Sequence, residues 1–132
     1  MSTTKKINDE IFETIYHAAQ AKGALAAQKC VPTPMTVVQH ANPLNDSSEV
    51  QRHWDVPTGV CGFAWVVIKP GTSAFAKWLV KHNHAKAHYY GGVSIWISVY
   101  GQCHQKKVVH AQAMAEYLNK VGIRAYSQDR LD

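Results

Sequence analysis

The run Gly62-Phe-Ala-Trp-Val-Val-Ile-Lys69 most restricts what this chain can fold into. It is apolar on both faces, and Pro70-Gly71 stops it. A run this short and this rich in β-branched and aromatic residues reads as a central strand, covered on both sides or nearly so. Such a strand needs neighbours in a sheet and a second layer against it.

A second strand reads differently. Over Val93–Tyr100 the pattern alternates, with Val93, Ile95, Ile97 and Val99 on one face and Ser94, Trp96, Ser98 and Tyr100 on the other. Gly91-Gly92 introduces it and Gly101 ends it. Met35 to His40 is a short strand, and Ile123 to about Gln128 is a final one. Residues 41–50 read as a loop, and Pro57 and Gly59 as a turn. Residues 51–58 carry no clear period.

Three helices separate these strands. Over residues 8–29, Ile11, Ile15, Ala18, Ala19, Leu25 and Ala26 recur at helical spacing, with Asn8 or Asp9 as the cap. Gly23 and a run of alanines make this helix small-sided. Alanine's helix propensity alone explains that composition. It also suits close docking, onto the domain's own sheet or onto another subunit. Pro32 and Pro34 end the region. Thr72 or Ser73 caps a second helix through Lys81, with Phe75, Trp78, Leu79 and His82 on one face. Lys77 and Lys81 lie on its other side. From His104 to Val121 a third helix carries the stripe Ala111, Met114, Leu118 and Val121, and Gly122 suits its C-terminal turn.

The order is α-β-β-α-β-α-β. The expected class is α+β, or a small α/β fold: a two-layer sandwich of about four strands and three helices. At 132 residues the chain reads as one domain, 1–132, with residues 1–31 as an N-terminal helical arm.

Charge narrows the partners. The chain has fourteen Lys+Arg and nine Asp+Glu, a formal charge of +5. No carboxylate lies between Val56 and Ala115, a stretch holding six lysines and five histidines. The positive excess therefore sits in one segment, which favours an anionic partner. No apolar run approaches the roughly 20 residues of a membrane span, and the N-terminus has no signal-like apolar core. Cys30, Cys61 and Cys103 are three thiols at long spacings, which is no disulfide framework.

The candidate binding residues are Lys77, Lys81, Lys106 and Lys107 for charge, with Ser94, Trp96, Ser98 and Tyr100 as a polar-aromatic sheet face. Lysine neutralises phosphate without reading sequence, and aromatic rings on a sheet stack bases. No arginine falls in the acid-free stretch, so little base-specific readout is expected. The competing readings are solvated helix faces for the lysines and an aromatic face packed under a helix. His82, His84, His88 and His104 are weak metal candidates. They lack a zinc-site spacing and a nearby carboxylate. No catalytic or cofactor motif appears, so no cofactor is expected, and no motif supports an enzyme.

The segments Gly59-Val-Cys-Gly-Phe-Ala-Trp-Val66, Tyr89-Tyr-Gly-Gly-Val-Ser-Ile-Trp96, Gly101-Gln102 and Arg130-Leu131-Asp132 resemble those of small, functionally uncharacterised proteins encoded by tailed bacteriophages. The resemblance covers about residues 55 to 132. It departs at Cys103, where a serine is expected after Gly-Gln. It implies a bacterial host cytoplasm or a virion, with a phage or host protein as a further partner. It carries over no site residue.

The leading expectation is thus a small binding or accessory protein that engages nucleic acid, a nucleotide or an acidic protein surface. A virion or assembly subunit, homo-oligomeric through the small-sided N-terminal helix, is the alternative. A metal-dependent enzyme at the histidines is the third reading.

Overall fold

The computed structural model describes residues 2–33, 35–40, 50–56, 59–88 and 90–132. In chain order the elements are α1 (Ser2–Lys29), β1 (Met35–His40), β2 (Val50–Val56), β3 (Gly62–Ile68), α2 (Ala74–Lys81), β4 (Lys86–Ala87), β5 (Val93–Trp96), α3 (His104–Lys120) and β6 (Ala125–Leu131). The expected α+β order is present, with β2 and β4 as additional strands. The expected loop over residues 41–50 falls outside the described residues up to 49, as do Pro34 and Pro57.

The apolar run is central, as its composition demands. The main sheet has the order β4-β5-β3-β6 and is antiparallel throughout. β1 and β2 form a separate antiparallel ribbon. From β3 onward the connectivity is β-α-β-β-α-β, a split β-α-β arrangement with β3 and β5 in the middle.

All three helices contribute to one core on one side of that sheet. Ala64, Val66 and Ile68 of β3, Val93 and Ile95 of β5, Ile97 just beyond it, and Ala125 of β6 meet Phe75 and Leu79 of α2, Ala111, Met114 and Leu118 of α3, and Ala19 of α1. This is the two-layer sandwich. α2 starts where Ser73 accepts a hydrogen bond from the Ala76 amide at 3.2 Å.

The small side chains of α1 serve a helix–helix seam. Among the residues of this helix whose burial is described, Ala19, Gly23 and Ala27, one turn apart, are the buried ones. The seam lies on α3: a Cβ on Gly23 would stand 2.5 Å from the His110 ring. Lys106 Nζ donates to the Ala27 carbonyl at 3.3 Å. The docking partner is therefore α3 of the same chain, rather than the sheet.

β3 is helix-covered on one face; on the other Val67 is fully buried while Phe63 and Trp65 are partly exposed, so the strand is nearly covered on both sides, as its composition predicts. Other expectations are corrected. β5 is shorter than its alternation, because the Ile97 amide makes the last ladder bond, to Ala64 O at 3.0 Å. Val99 is 51% exposed and Val121 43%, so neither belongs to the core. His82 caps the end of α2 and is exposed rather than packed with Phe75 and Leu79. Gly92 is required by close approach: a Cβ there would lie 2.5 Å from Ile68 O, at φ +77°.

Candidate nucleic-acid interface

The face of the sheet away from the helices follows from register. Trp65 of β3 stands opposite Trp96 of β5 and Gln128 of β6. The two indoles stack, with centroids 4.7 Å apart and planes 20° from parallel. Phe63 meets Trp96 edge-on at 6.1 Å. The Trp65 indole N–H donates to Gln128 Oε1 at 2.9 Å, which holds its ring. Tyr126 lies opposite Val67 on the same face.

The charged residues at the paired positions of this face are basic. Arg130, opposite Phe63, sets its guanidinium 5.2 Å from the Phe63 centroid. Lys69 reaches over Tyr126 at 5.6 Å. Lys86 is the cross-strand partner of Ser94. Asp129 alternates to the other side, where His104 Nε2 lies 2.8 Å from Oδ2. The two-residue period of the strand thus keeps β6's paired carboxylate off the aromatic face.

A cleft opens beside Trp96. β4 pairs only with Val93 and Ser94. The bond from Ile97 to Ala64 directs the Ile97 backbone inward, so the backbone groups of Trp96 and Ser98 point to the free edge. Asn83, His84, Lys86, Ser94, Trp96 and Ser98 line this cleft, of about 280 Å³. A neighbouring recess of about 350 Å³ continues past Ser98 to Tyr16, Gln20 and His110.

The floor of that recess is a hydrogen-bonded chain. Gln20 Nε2 donates to the Tyr16 hydroxyl at 3.1 Å, so Gln20 Oε1 faces His110 Nε2 at 2.8 Å. His110 then carries its proton on Nε2 and accepts from the Tyr100 hydroxyl at Nδ1, 2.7 Å away. Tyr16 stacks on His84, with centroids 4.0 Å apart. Tyr100 is held at φ +71°, a left-handed conformation unusual for a bulky residue, and its hydroxyl anchors it to α3.

Burial moves these groups. Desolvation holds the His110 imidazole below its ordinary value of 6.5. His84 is also lowered, first by desolvation and then by His82 and His17, against a raising effect from Glu13. Desolvation raises the Tyr100 phenol. Folding therefore favours neutral His110. Its contribution is complete above pH 6.5 and is lost as pH falls from there toward the lowered folded value. The melting temperature should fall from about pH 7 to about pH 5, and less steeply in His110→Gln. Thermal melts across that range check it, and equal slopes in both proteins would contradict it.

The lysines named from sequence do not converge. Lys77 and Lys81 are exposed on α2, in the helical layer and across the sheet from Trp96. Lys106 caps the end of α1. Lys107 is 5% exposed, which corrects its expected surface position. Its Nζ donates to Gly62 O at 3.2 Å and lies 5.4 Å from the Phe63 centroid. The hydrophobic stripe carried this signal: Lys107 lies one turn before Ala111, on the face of Met114 and Leu118, where α3 crosses the start of β3.

Of the polar-aromatic set, Trp96 is 46% exposed, Ser98 is exposed, and Ser94 is 4% exposed in the cleft wall. Tyr100 leaves this face and turns to α3, because the strand has ended. The histidines also separate. His82 and His84 have centroids 6.3 Å apart, whereas His88 neighbours Tyr90 and His104 pairs with Asp129. Among the described residues, no group of three or more His, Cys, Asp or Glu side chains could hold a metal ion. No described helix is long and apolar enough to cross a membrane.

Sequence reading missed Phe63, Trp65, Lys69, Lys86, Tyr126 and Arg130. Phe63, Trp65 and Lys69 were hidden in a run read as covered on both faces. Tyr126, Gln128 and Arg130 alternate in β6, a signal that was available once its register was known.

The fold and this face define a class: a β-α-β-β-α-β domain with a helix-free, basic, aromatic sheet surface. No family model, curated protein or solved structure matches the chain.

Proposed function

We propose that this protein binds single-stranded nucleic acid on the helix-free face of its sheet, without strong sequence preference. One observation carries the reading: Phe63, Trp65, Trp96 and Tyr126 share a helix-free face whose paired charges, Lys86 and Arg130, are basic, with Lys69 reaching over Tyr126. Aromatic side chains on a four-stranded antiparallel sheet stack unpaired bases, and flanking cations track the backbone. Every base has a π-face, so such a site tolerates sequence. A duplex hides those faces, so single strands are the better ligand. The phage resemblance of residues 55–132 suggests an infected bacterial cell as the setting.

This reading moves the charge from α2 and α3 to the sheet. The assembly alternative drew on the small-sided helix, whose seam is occupied by α3 of the same chain.

The test is a titration of labelled single- and double-stranded oligonucleotides at several salt concentrations. Single strands should bind more tightly, with affinity falling steeply as salt rises. Replacing Lys86 and Arg130 together by alanine should flatten the log–log salt slope by about 1.4, at roughly 0.7 for each phosphate no longer neutralised. Lys77→Ala with Lys81→Ala should leave it unchanged. Absence of binding at low salt, or a slope carried by Lys77 and Lys81, overturns the proposal.

A further inference from the structure

The geometry points to a redox site that the cysteine spacing alone does not reveal: Cys61 and Cys103 form a reversible disulfide within one chain. Cys61 leads into β3, and Cys103 is the N-cap of α3. They are cross-strand partners in an isolated antiparallel bridge.

The type of bridge matters. The Gly62 amide donates to Gln102 O at 3.1 Å, and the His104 amide donates to Val60 O at 3.2 Å. These two bonds flank the cysteines, which exchange none with each other. A pair of this non-hydrogen-bonded kind has its Cα atoms about 4.5 Å apart, with side chains on the same side. Disulfides span Cα separations of roughly 4.4–6.8 Å, so the bond can form without bringing the strands closer. Further bonds hold both backbones: the Asp132 amide donates to Cys61 O, and the Cys103 amide to Tyr100 O, each at 3.1 Å.

Both residues are thiols in this structure. Cys61 is exposed and Cys103 is 2% exposed, which divides the chemistry between them. A low-molecular-weight disulfide such as glutathione disulfide is the oxidant. The Cys61 thiolate attacks one of its sulfurs, forming a mixed disulfide and expelling one glutathione thiolate. The Cys103 thiolate then attacks the Cys61 sulfur, expelling the second. The two protein thiols lose their protons to solvent, and the oxidant leaves as two reduced thiols.

The bond ties the N-terminus of α3 to the entrance of β3. Lys107, whose amide donates to Cys103 O and whose Nζ donates to Gly62 O, already spans the same junction. Phe63, beneath Lys107 and Arg130, is the next residue of the aromatic face. The redox site thus borders the binding face but does not depend on it.

Trypsin separates the three cysteines, into residues 30–52, 53–77 and 87–106. The native protein is incubated with glutathione disulfide and mapped without reduction. The expected product is 53–77 joined to 87–106, in a monomer whose mass has fallen by two hydrogens, reversed by dithiothreitol. Cys103→Ser, which keeps a favourable N-cap residue, should trap a glutathione adduct on Cys61. Cys61→Ser should leave buried Cys103 unmodified. A stable Cys61 adduct in the unaltered protein, a link to Cys30, or a bond between two chains would each overturn the assignment.

Discussion

Gly23→Ala lowers the melting temperature by roughly 4–8 °C, although helix propensity alone predicts a rise. Alanine in a helix interior is favoured over glycine by about 1 kcal/mol. The new methyl would stand 2.5–2.7 Å from three atoms of the His110 ring, inside any real contact distance. The ring cannot swing aside freely, because Tyr100 holds Nδ1 and Gln20 holds Nε2. Overpacking costs about 1–3 kcal/mol, and contacts this short to a tethered ring belong in the upper half of that range, which leaves a net loss of about 1–2 kcal/mol after the propensity gain. The same substitution in a His110→Ala background should stabilise, since the obstruction is gone. A double-mutant cycle by thermal and urea unfolding measures the coupling. A rise in melting temperature for Gly23→Ala alone would show that α1 does not seat on α3 as described.

Trp96→Ala should weaken the proposed single-strand binding by roughly 10- to 100-fold. Base–aromatic stacking contributes about 1–3 kcal/mol per base, and 1.4 kcal/mol corresponds to a factor of ten. Trp96 also supports the stacked Trp65 ring, so its loss removes one platform and loosens the next. The fold should survive, because Trp96 lies outside the core cluster and is 46% exposed. Fluorescence anisotropy with a labelled single strand reads the affinity, and circular dichroism confirms folding. Trp96→Phe should restore most of the binding, because a ring is retained. Unchanged affinity in a folded Trp96→Ala protein would remove the sheet face from the site.

Much of the architecture was legible because it rests on short-range periodicity. Phe75, Trp78 and Leu79 pack at helical spacing, and Val93, Ile95 and Ile97 pack at strand spacing, as their side-chain directions require. The failures have physical causes. Val99 and Tyr100 continue the alternation in sequence after the ladder has ended, and hydrogen bonding rather than pattern decides where a strand stops. Val50–Val56 has no clear period yet pairs with Met35–His40, because strand pairing supplies what local pattern does not.

The site was legible only in part. Trp96, Ser94 and Ser98 do stand on the face away from the helices, since alternation put them opposite the aliphatic set. Lys77 and Lys81 were chosen by sign and exposure, yet a sandwich has two outer surfaces and theirs is the helical one. Lys107 is a candidate for charge by sign and position, yet its long stem runs to the Gly62 carbonyl.

The sequence by itself determined the class, the helices and the separation of an aliphatic strand face from a polar-aromatic one, because periods of 3.6 and 2 are local properties. Tertiary structure alone decided which charges share the aromatic face, that Gly23 meets His110 and that Cys61 meets Cys103. Those contacts join residues far apart in the chain, and only strand register and helix docking bring them together.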